Sequence, residues 1–192
     1  MELVERDATL QLLDARLREV ALGTGHTALI GGEAGVGKTT LLNALAQRQP
    51  DVNLWWGACD ALQTPHPLAP LHDIARSSEL SFGTLLGAQS SRAVLFEAVL
   101  TERQRSRRPT LLVIEDVHWA DDATLDLLKF LGRRIDRARC LLVVSYRDDE
   151  LGPAHPLRRV FGELPPPLVT RVDLQRLSPT AVERLARAAL RS

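Results

Sequence analysis

Gly-Gly-Glu-Ala-Gly-Val-Gly-Lys-Thr-Thr, running from Gly31 to Thr40, decides how this chain is read, because it satisfies the pattern G-x-x-x-x-G-K-[ST] between Gly32 and Thr39. A loop of this kind is a phosphate cradle. Glycines at 32, 35 and 37 allow the backbone to turn its N–H groups inward around a polyphosphate, Lys38 can reach the terminal phosphates, and the Thr39 hydroxyl can hold Mg²⁺. An apolar run, Thr27 to Ile30, precedes the loop, and a helical pattern, Leu41, Leu42 and Leu45, comes after it. Strand, glycine loop and helix stand in the order a nucleotide site needs.

Outward from that loop, helices and strands alternate. Leu10, Leu13, Leu17 and Val20 fall at helical spacing and predict an amphipathic helix over 7–21, ended by Gly23 and Gly25. His26 to Ile30 reads as the first strand, Thr39 to Gln47 as the helix leaving the loop, and Val52 to Gly57 as the second strand, with Pro50 at the turn between them. Pro65, Pro67 and Pro70 predict a loop and then a short helix over about 68–75, and the residues up to Gly87 carry no clear period. A helix is expected from Ser90 to Gln104, closed by the arginine-rich stretch Arg103 to Arg108 and by Pro109. Thr110 to Ile114 and Cys140 to Val144 are continuously apolar, as parallel strands covered on both faces must be. Between them Asp121 or Asp122 can cap a helix carrying Leu125, Leu128 and Ile135. A last strand over Val169 to Leu174 leads into a helix over 179–190, with Ser178 as its cap and Pro179 at its first position. The alternation predicts an α/β domain with a parallel sheet between two helical layers.

Bulk composition narrows the function classes. At 192 residues the chain can bury a full core in one domain, and its 24 basic and 24 acidic residues balance, so no global field draws it to nucleic acid or to an anionic membrane. Only Lys38 and Lys129 are lysines among the basic groups, which sets Lys38 apart. Cys59 and Cys140 stand singly in apolar surroundings without metal-ligand spacing, predicting two reduced, buried thiols and a reducing compartment. The charged start Met-Glu-Leu-Val-Glu-Arg-Asp lacks the apolar centre of a signal peptide, and no apolar run reaches membrane-span length. A soluble, intracellular protein is expected.

The second informative stretch is LLVIEDVHWADD, Leu111 to Asp122, which puts Glu115 and Asp116 at the end of a buried strand. Ligands of open parallel sheets sit beyond the carboxyl ends of the strands, so these acids can face the metal. One can anchor Mg²⁺ and the other can orient or deprotonate a water; the residues alone leave open which does which. Arg147 stands just past the next strand in the same manner and can sense a terminal phosphate, its competing fate being an ion pair with Asp148 or Asp149. His118 is expected to be a hydrogen-bonding residue, and Trp55, Trp56 and Trp119 are expected to pack. The arginine clusters at 103–108 and 133–139 lack interleaved aromatics and predict helix-end solvation, not nucleic-acid contact.

Together LVERD, GGEAGVGKTT, LLVIEDVHWADD and LLVVSYRDDE resemble the signal-transducing P-loop ATPases of the STAND group within the AAA-like superfamily, notably the ATPase modules of large ATP-binding LuxR-type transcriptional regulators. The resemblance runs from about Leu3 to Ala189 and implies a three-layer αβα P-loop sandwich with a five-stranded, mainly parallel sheet in the order 5-1-4-3-2. It also implies ATP or ADP with Mg²⁺ as ligands. On this likeness Gly32, Gly35, Val36, Gly37, Lys38, Thr39 and Thr40 bind phosphate and metal, and Glu115 and Asp116 are the acid pair. Arg147, after the strand spanning 140–147, is the sensor, and Arg6 lies near the adenine or its ribose. The implied activity is slow Mg²⁺-dependent ATP hydrolysis operating a cytoplasmic switch. Its implied partners are a second copy or other domains of a longer regulator, with no nucleic acid bound by this segment. Glu115 stands where many relatives carry Asp, and relatives usually continue beyond the position of Ser192, so the sequence reads as the ATPase core of a larger protein. A non-hydrolysing ATP-binding module and, more remotely, a small-molecule kinase are the alternatives.

Overall fold

The runs that are apolar at every position become strands sealed on both faces. In the computed structural model, which describes residues 3–62, 66–77, 80–87 and 90–189, five strands form one sheet. They are β1 (His26–Gly31), β2 (Asn53–Ala58), β3 (Thr110–Glu115), β4 (Cys140–Ser145) and β5 (Val169–Asp173). Their order is β2-β3-β4-β1-β5 and every pairing is parallel, which from the opposite edge is the expected 5-1-4-3-2. All residues of β1, β3 and β4 are buried. Successive side chains enter opposite cores: Ala28, Ile30, Leu111, Val113, Leu141 and Val143 go to one side, and Leu29, Leu112, Ile114, Leu142 and Val144 to the other. This period of two, with both faces covered, explains why these strands show no polar alternation.

On the first face lie α1 (Asp7–Ala21) and α2 (Lys38–Gln47), which bury Leu10, Leu13, Leu17, Val20, Leu41, Leu42 and Leu45. The second face carries α3 (Ala69–Ser77), α4 (Gly83–Gly87), α5 (Arg92–Arg105), α6 (Asp122–Gly132) and α7 (Pro156–Gly162). A final helix, α8 (Pro179–Ala189), comes after β5, and the Ser178 hydroxyl accepts the Ala181 N–H at 3.2 Å as its cap. Pro65 and residue 190, the expected end of this helix, lie outside the described residues.

Several boundaries differ from expectation for physical reasons. Asp121, not Asp122, caps α6, its Oδ1 accepting the N–H groups of Ala123 and Thr124 at 2.8 and 3.2 Å. That helix stops at Gly132, so Ile135 is carried by a separate 3₁₀ turn, Ile135–Arg137, whose carbonyl packs against the bare Cα of Gly25. The acid-pair strand ends at Glu115, because Asp116 turns into the left-handed region at φ 54°. The strand expected to span 140–147 ends at Ser145. Helix α7 is not anticipated at all: it is seven residues long, too short for a helical period, and its cap is His155, whose Nδ1 accepts the Leu157 N–H. Cys59 and Cys140 are free and buried, and burial pushes both thiols up to about 12. Among the described residues no helix is long and apolar enough to cross a membrane.

Candidate active site

Adjacency of β3, β4 and β1 brings the ends of three strands together at one edge of the sheet. The glycine loop leaves β1, Glu115 ends β3 with Asp116 just past it, and Arg147 lies two residues past β4. Gly35 and Gly37 hold φ of 73° and 98°, a backbone region that L side chains rarely enter, which lets the loop fold over before α2 begins at Lys38. The first N–H groups of α2 have no acceptor within the helix and open onto a cavity of about 270 Å³. Its walls are Ala34, Gly35, Gly37, Lys38, Thr39, Thr40, Asp116 and Arg147. The loop, one acid and the arginine therefore converge on a single space.

Lys38 is buried, and its Nζ donates to Gly32 O at 2.6 Å and Glu33 O at 2.9 Å. Burial pushes the lysine pKa down, while the Asp116 carboxylate beside it pulls the other way. The two acids are held differently. Glu115 is buried with both oxygens engaged: Oε2 accepts from Thr39 Oγ1 at 2.5 Å, and Oε1 accepts from Trp56 Nε1 at 2.9 Å. Asp116 instead donates its backbone N–H to Ser145 Oγ at 3.2 Å and keeps its side chain partly exposed at the cavity. Trp56 is thus more than the packing residue the sequence suggests, whereas Trp55 does pack, edge-on to Phe82. Nothing in the local sequence marks Trp56 or Ser145, since each meets its partner across the sheet.

Arg147 is paired with neither Asp148 nor Asp149. Its Nη1 donates to Glu150 Oε1 at 2.6 Å, because the turn after β4 brings the third residue back across the guanidinium. Glu150 Oε2 also accepts the Trp119 indole N–H at 3.1 Å. The His118 side chain is fully buried, its Nδ1 accepts the Arg147 backbone N–H at 3.4 Å, and its Nε2 has no hydrogen-bond partner. Burial pushes the His118 pKa down. The expected hydrogen-bonding histidine is therefore satisfied at one nitrogen only.

Arg6 is buried as well, and its Nη2 donates to Val36 O at 3.1 Å and Gln175 O at 2.6 Å. It ties the segment before α1 to the loop and to the chain entering α8. Together with Val4, Val36, Thr40, Leu177 and Leu185 it lines a second, mainly apolar cavity of about 200 Å³. Gly35, Gly37 and Thr40 are walls of both cavities. One space gathers an ammonium, a guanidinium and a helix N-terminus and so suits a polyphosphate; the other suits a flat, largely apolar base. Among the described residues no group of three or more metal-ligating side chains occurs, so a hard cation here must take further oxygens from phosphate and water besides Thr39 and the acids.

Residues 2–144 match the AAA ATPase domain family. The chain belongs to that family. Solved structures similar to this AAA ATPase domain include Cdc6p of Pyrobaculum aerophilum, at 20% identity and a TM-score of 0.65 over 97% of this chain and 49% of that one. The Orc1 protein of Aeropyrum pernix, solved with DNA, matches at 18% identity and a TM-score of 0.62, over 99% of this chain and 50% of that one. A signal transduction ATPase with numerous domains (STAND) from Pyrococcus horikoshii, bearing a tetratricopeptide repeat sensor, matches at 20% identity and a TM-score of 0.51, over 93% of this chain and 25% of that one. These likenesses establish the three-layer P-loop fold. An uncharacterized protein of Rhizobium meliloti (strain 1021) is 28% identical over 84% of this chain. The AAA ATPase domain spans 20% of that protein and about half of the first two structural relatives.

Proposed function

We propose that this AAA ATPase domain binds ATP with Mg²⁺, hydrolyses it slowly, and serves as the nucleotide-controlled switch of a larger signalling protein. The observation that carries the reading is the convergence of the glycine loop, Lys38, Asp116 and Arg147 on one cavity, with Glu115 bonded to Thr39 behind it. A Mg²⁺ ion held by Thr39 and Glu115 would supply positive charge to offset what develops in phosphoryl transfer. Thr39 and Glu115 form its seat, as hard oxygen ligands suit a hard cation. Loop N–H groups and Lys38 grip the phosphates. Asp116, whose carboxylate is not committed to the loop, orients water and accepts its proton. Arg147 reads the terminal phosphate, and Arg6 with Val36 and Thr40 holds the base side of the nucleotide.

Balanced charge favours a role without direct nucleic-acid contact for this segment, whatever its longer relatives bind. The STAND likeness and the motifs shared with LuxR-type regulators support a signalling or transcription-regulating context in the cytoplasm, with a second copy or attached domains as partners. Titration calorimetry with Mg-ATP tests the reading. Wild type and Asp116→Asn should release heat, Lys38→Ala should not, and only wild type should then liberate phosphate above background. Normal binding and turnover by Lys38→Ala would overturn the assignment.

A further inference from the structure

Arg147, a wall of the 270 Å³ cavity, is held by the Glu150 carboxylate. Glu150 Oε1 accepts Arg147 Nη1 at 2.6 Å, and its Oε2 accepts Trp119 Nε1 at 3.1 Å. The Arg147 guanidinium carbon also lies 4.9 Å from the Trp119 ring centroid, so indole and carboxylate together fix the arginine's direction. Beside this cluster sits an unsatisfied donor. Because His118 Nδ1 accepts the Arg147 backbone N–H, the proton of the neutral ring is on Nε2, which is buried without a hydrogen bond, 3.5 Å from Glu150 Oε2. A buried N–H left unpaired costs free energy that a small movement of Glu150 would recover.

We propose that Glu150 sets the preference of this site for ATP over ADP, by competing with the terminal phosphate for Arg147 and settling onto His118 Nε2 when it loses. The inference rests on reading the 270 Å³ cavity as a phosphate site and adds its selectivity. A guanidinium bonded to a carboxylate leaves it only for a stronger anion, and a terminal phosphate is more highly charged than a carboxylate and offers more acceptor oxygens. A diphosphate ends short of that position, so Arg147 stays with Glu150. With the triphosphate, the released carboxylate keeps its bond to Trp119 and gains the histidine donor, so the exchange strands no polar group. Glu150 is thus a positioning residue acting through Arg147.

Separate titrations of wild type with Mg-ATP and Mg-ADP, repeated for Glu150→Gln, test this. The substitution removes the charge that holds Arg147 while keeping an acceptor for Trp119 Nε1. ATP affinity should rise about two- to five-fold, the range of a partly exposed ion pair, with ADP affinity unchanged. In an Arg147→Ala background the same change should move neither affinity. The His118 Nε2 proton resonance should shift downfield with Mg-ATP and stay in place with Mg-ADP. Weaker ATP binding by Glu150→Gln, a parallel gain for both nucleotides, or an equal gain without Arg147 would overturn the proposal. If wild type binds neither nucleotide, the ATP reading itself falls; if it binds both and these contrasts are absent, only the role of Glu150 falls.

Discussion

Thr39 Oγ1 and Glu115 Oε2 are 2.5 Å apart, a hydrogen bond between the first turn of α2 and the last residue of β3. With Trp56 holding the other oxygen at 2.9 Å, Glu115 is fixed where a metal bound by Thr39 would meet it, and Asp116 is left with a carboxylate facing the cavity.

The two acids should therefore fail differently. Glu115→Gln should weaken ATP binding in the presence of Mg²⁺ and leave metal-free binding nearly unchanged. Asp116→Asn should bind Mg-ATP within about two-fold of wild type yet lose about 10²-fold or more in turnover, as removal of a general base does. Calorimetry with and without Mg²⁺, paired with phosphate release, separates the outcomes; identical losses in both variants would contradict the division of roles.

Trp56→Phe leaves a smaller aromatic ring and deletes the N–H that Glu115 Oε1 accepts. A hydrogen bond to a charged group contributes about 1.5–3 kcal/mol, but water can reach this partly buried pair, so the loss should fall at or below the low end. Mg-ATP affinity should drop several-fold, with ADP measured without metal much less affected.

Gly57 is a packing constraint on the same strand. A Cβ there would lie 2.3 Å from Pro70 O, so β2 and the start of α3 touch backbone to backbone. Gly57→Ala must push α3 off the sheet edge, and overpacking of this kind costs about 1–3 kcal/mol. Chemical denaturation should show a lower midpoint, with nucleotide affinity reduced far less, since α3 lies away from the phosphate cavity. An unchanged midpoint would mean that the contact can relax.

Stability should fall on mild acidification. His26, buried at the start of β1 with Nε2 2.9 Å from Thr170 Oγ1, has its pKa pushed below the ordinary 6.5, by burial first and then by the Arg16 guanidinium. Below about pH 6.5 the unfolded chain takes up a proton that the folded one resists, so stability present above that value is lost as the pH drops toward the folded pKa. His72 and His118 are shifted the same way, again by burial first. Thermal melts between about pH 7.5 and 5.5 should show a falling midpoint. His26→Gln, which can keep a bond to Thr170 and does not titrate, should flatten part of that slope; an unaltered slope would assign it to other groups.

Features of this domain are legible in its sequence to the extent that the residues making them are neighbours along the chain. The phosphate loop, the helix leaving it, the capped starts of α6 and α8 and the strands buried on both faces are encoded by neighbouring residues, so spacing and period reveal them. By itself the sequence determined the fold class and the convergence of Lys38, the acid pair and Arg147 on one sheet edge, since parallel strands deliver the residues at their carboxyl ends to the same side. It could not show that Glu115 and Asp116 are held differently, because the partners of Glu115 are Thr39 and Trp56, which are 76 and 59 residues away. Nor could it find the strut from Arg6 to Gln175, 169 residues away, or choose Glu150 among the acids after Arg147. Short α7, capped by a histidine, left no period to read. Those features belong to the tertiary structure alone, because a hydrogen bond depends on where packing places two groups, and packing is set by the whole sheet and its two helical layers.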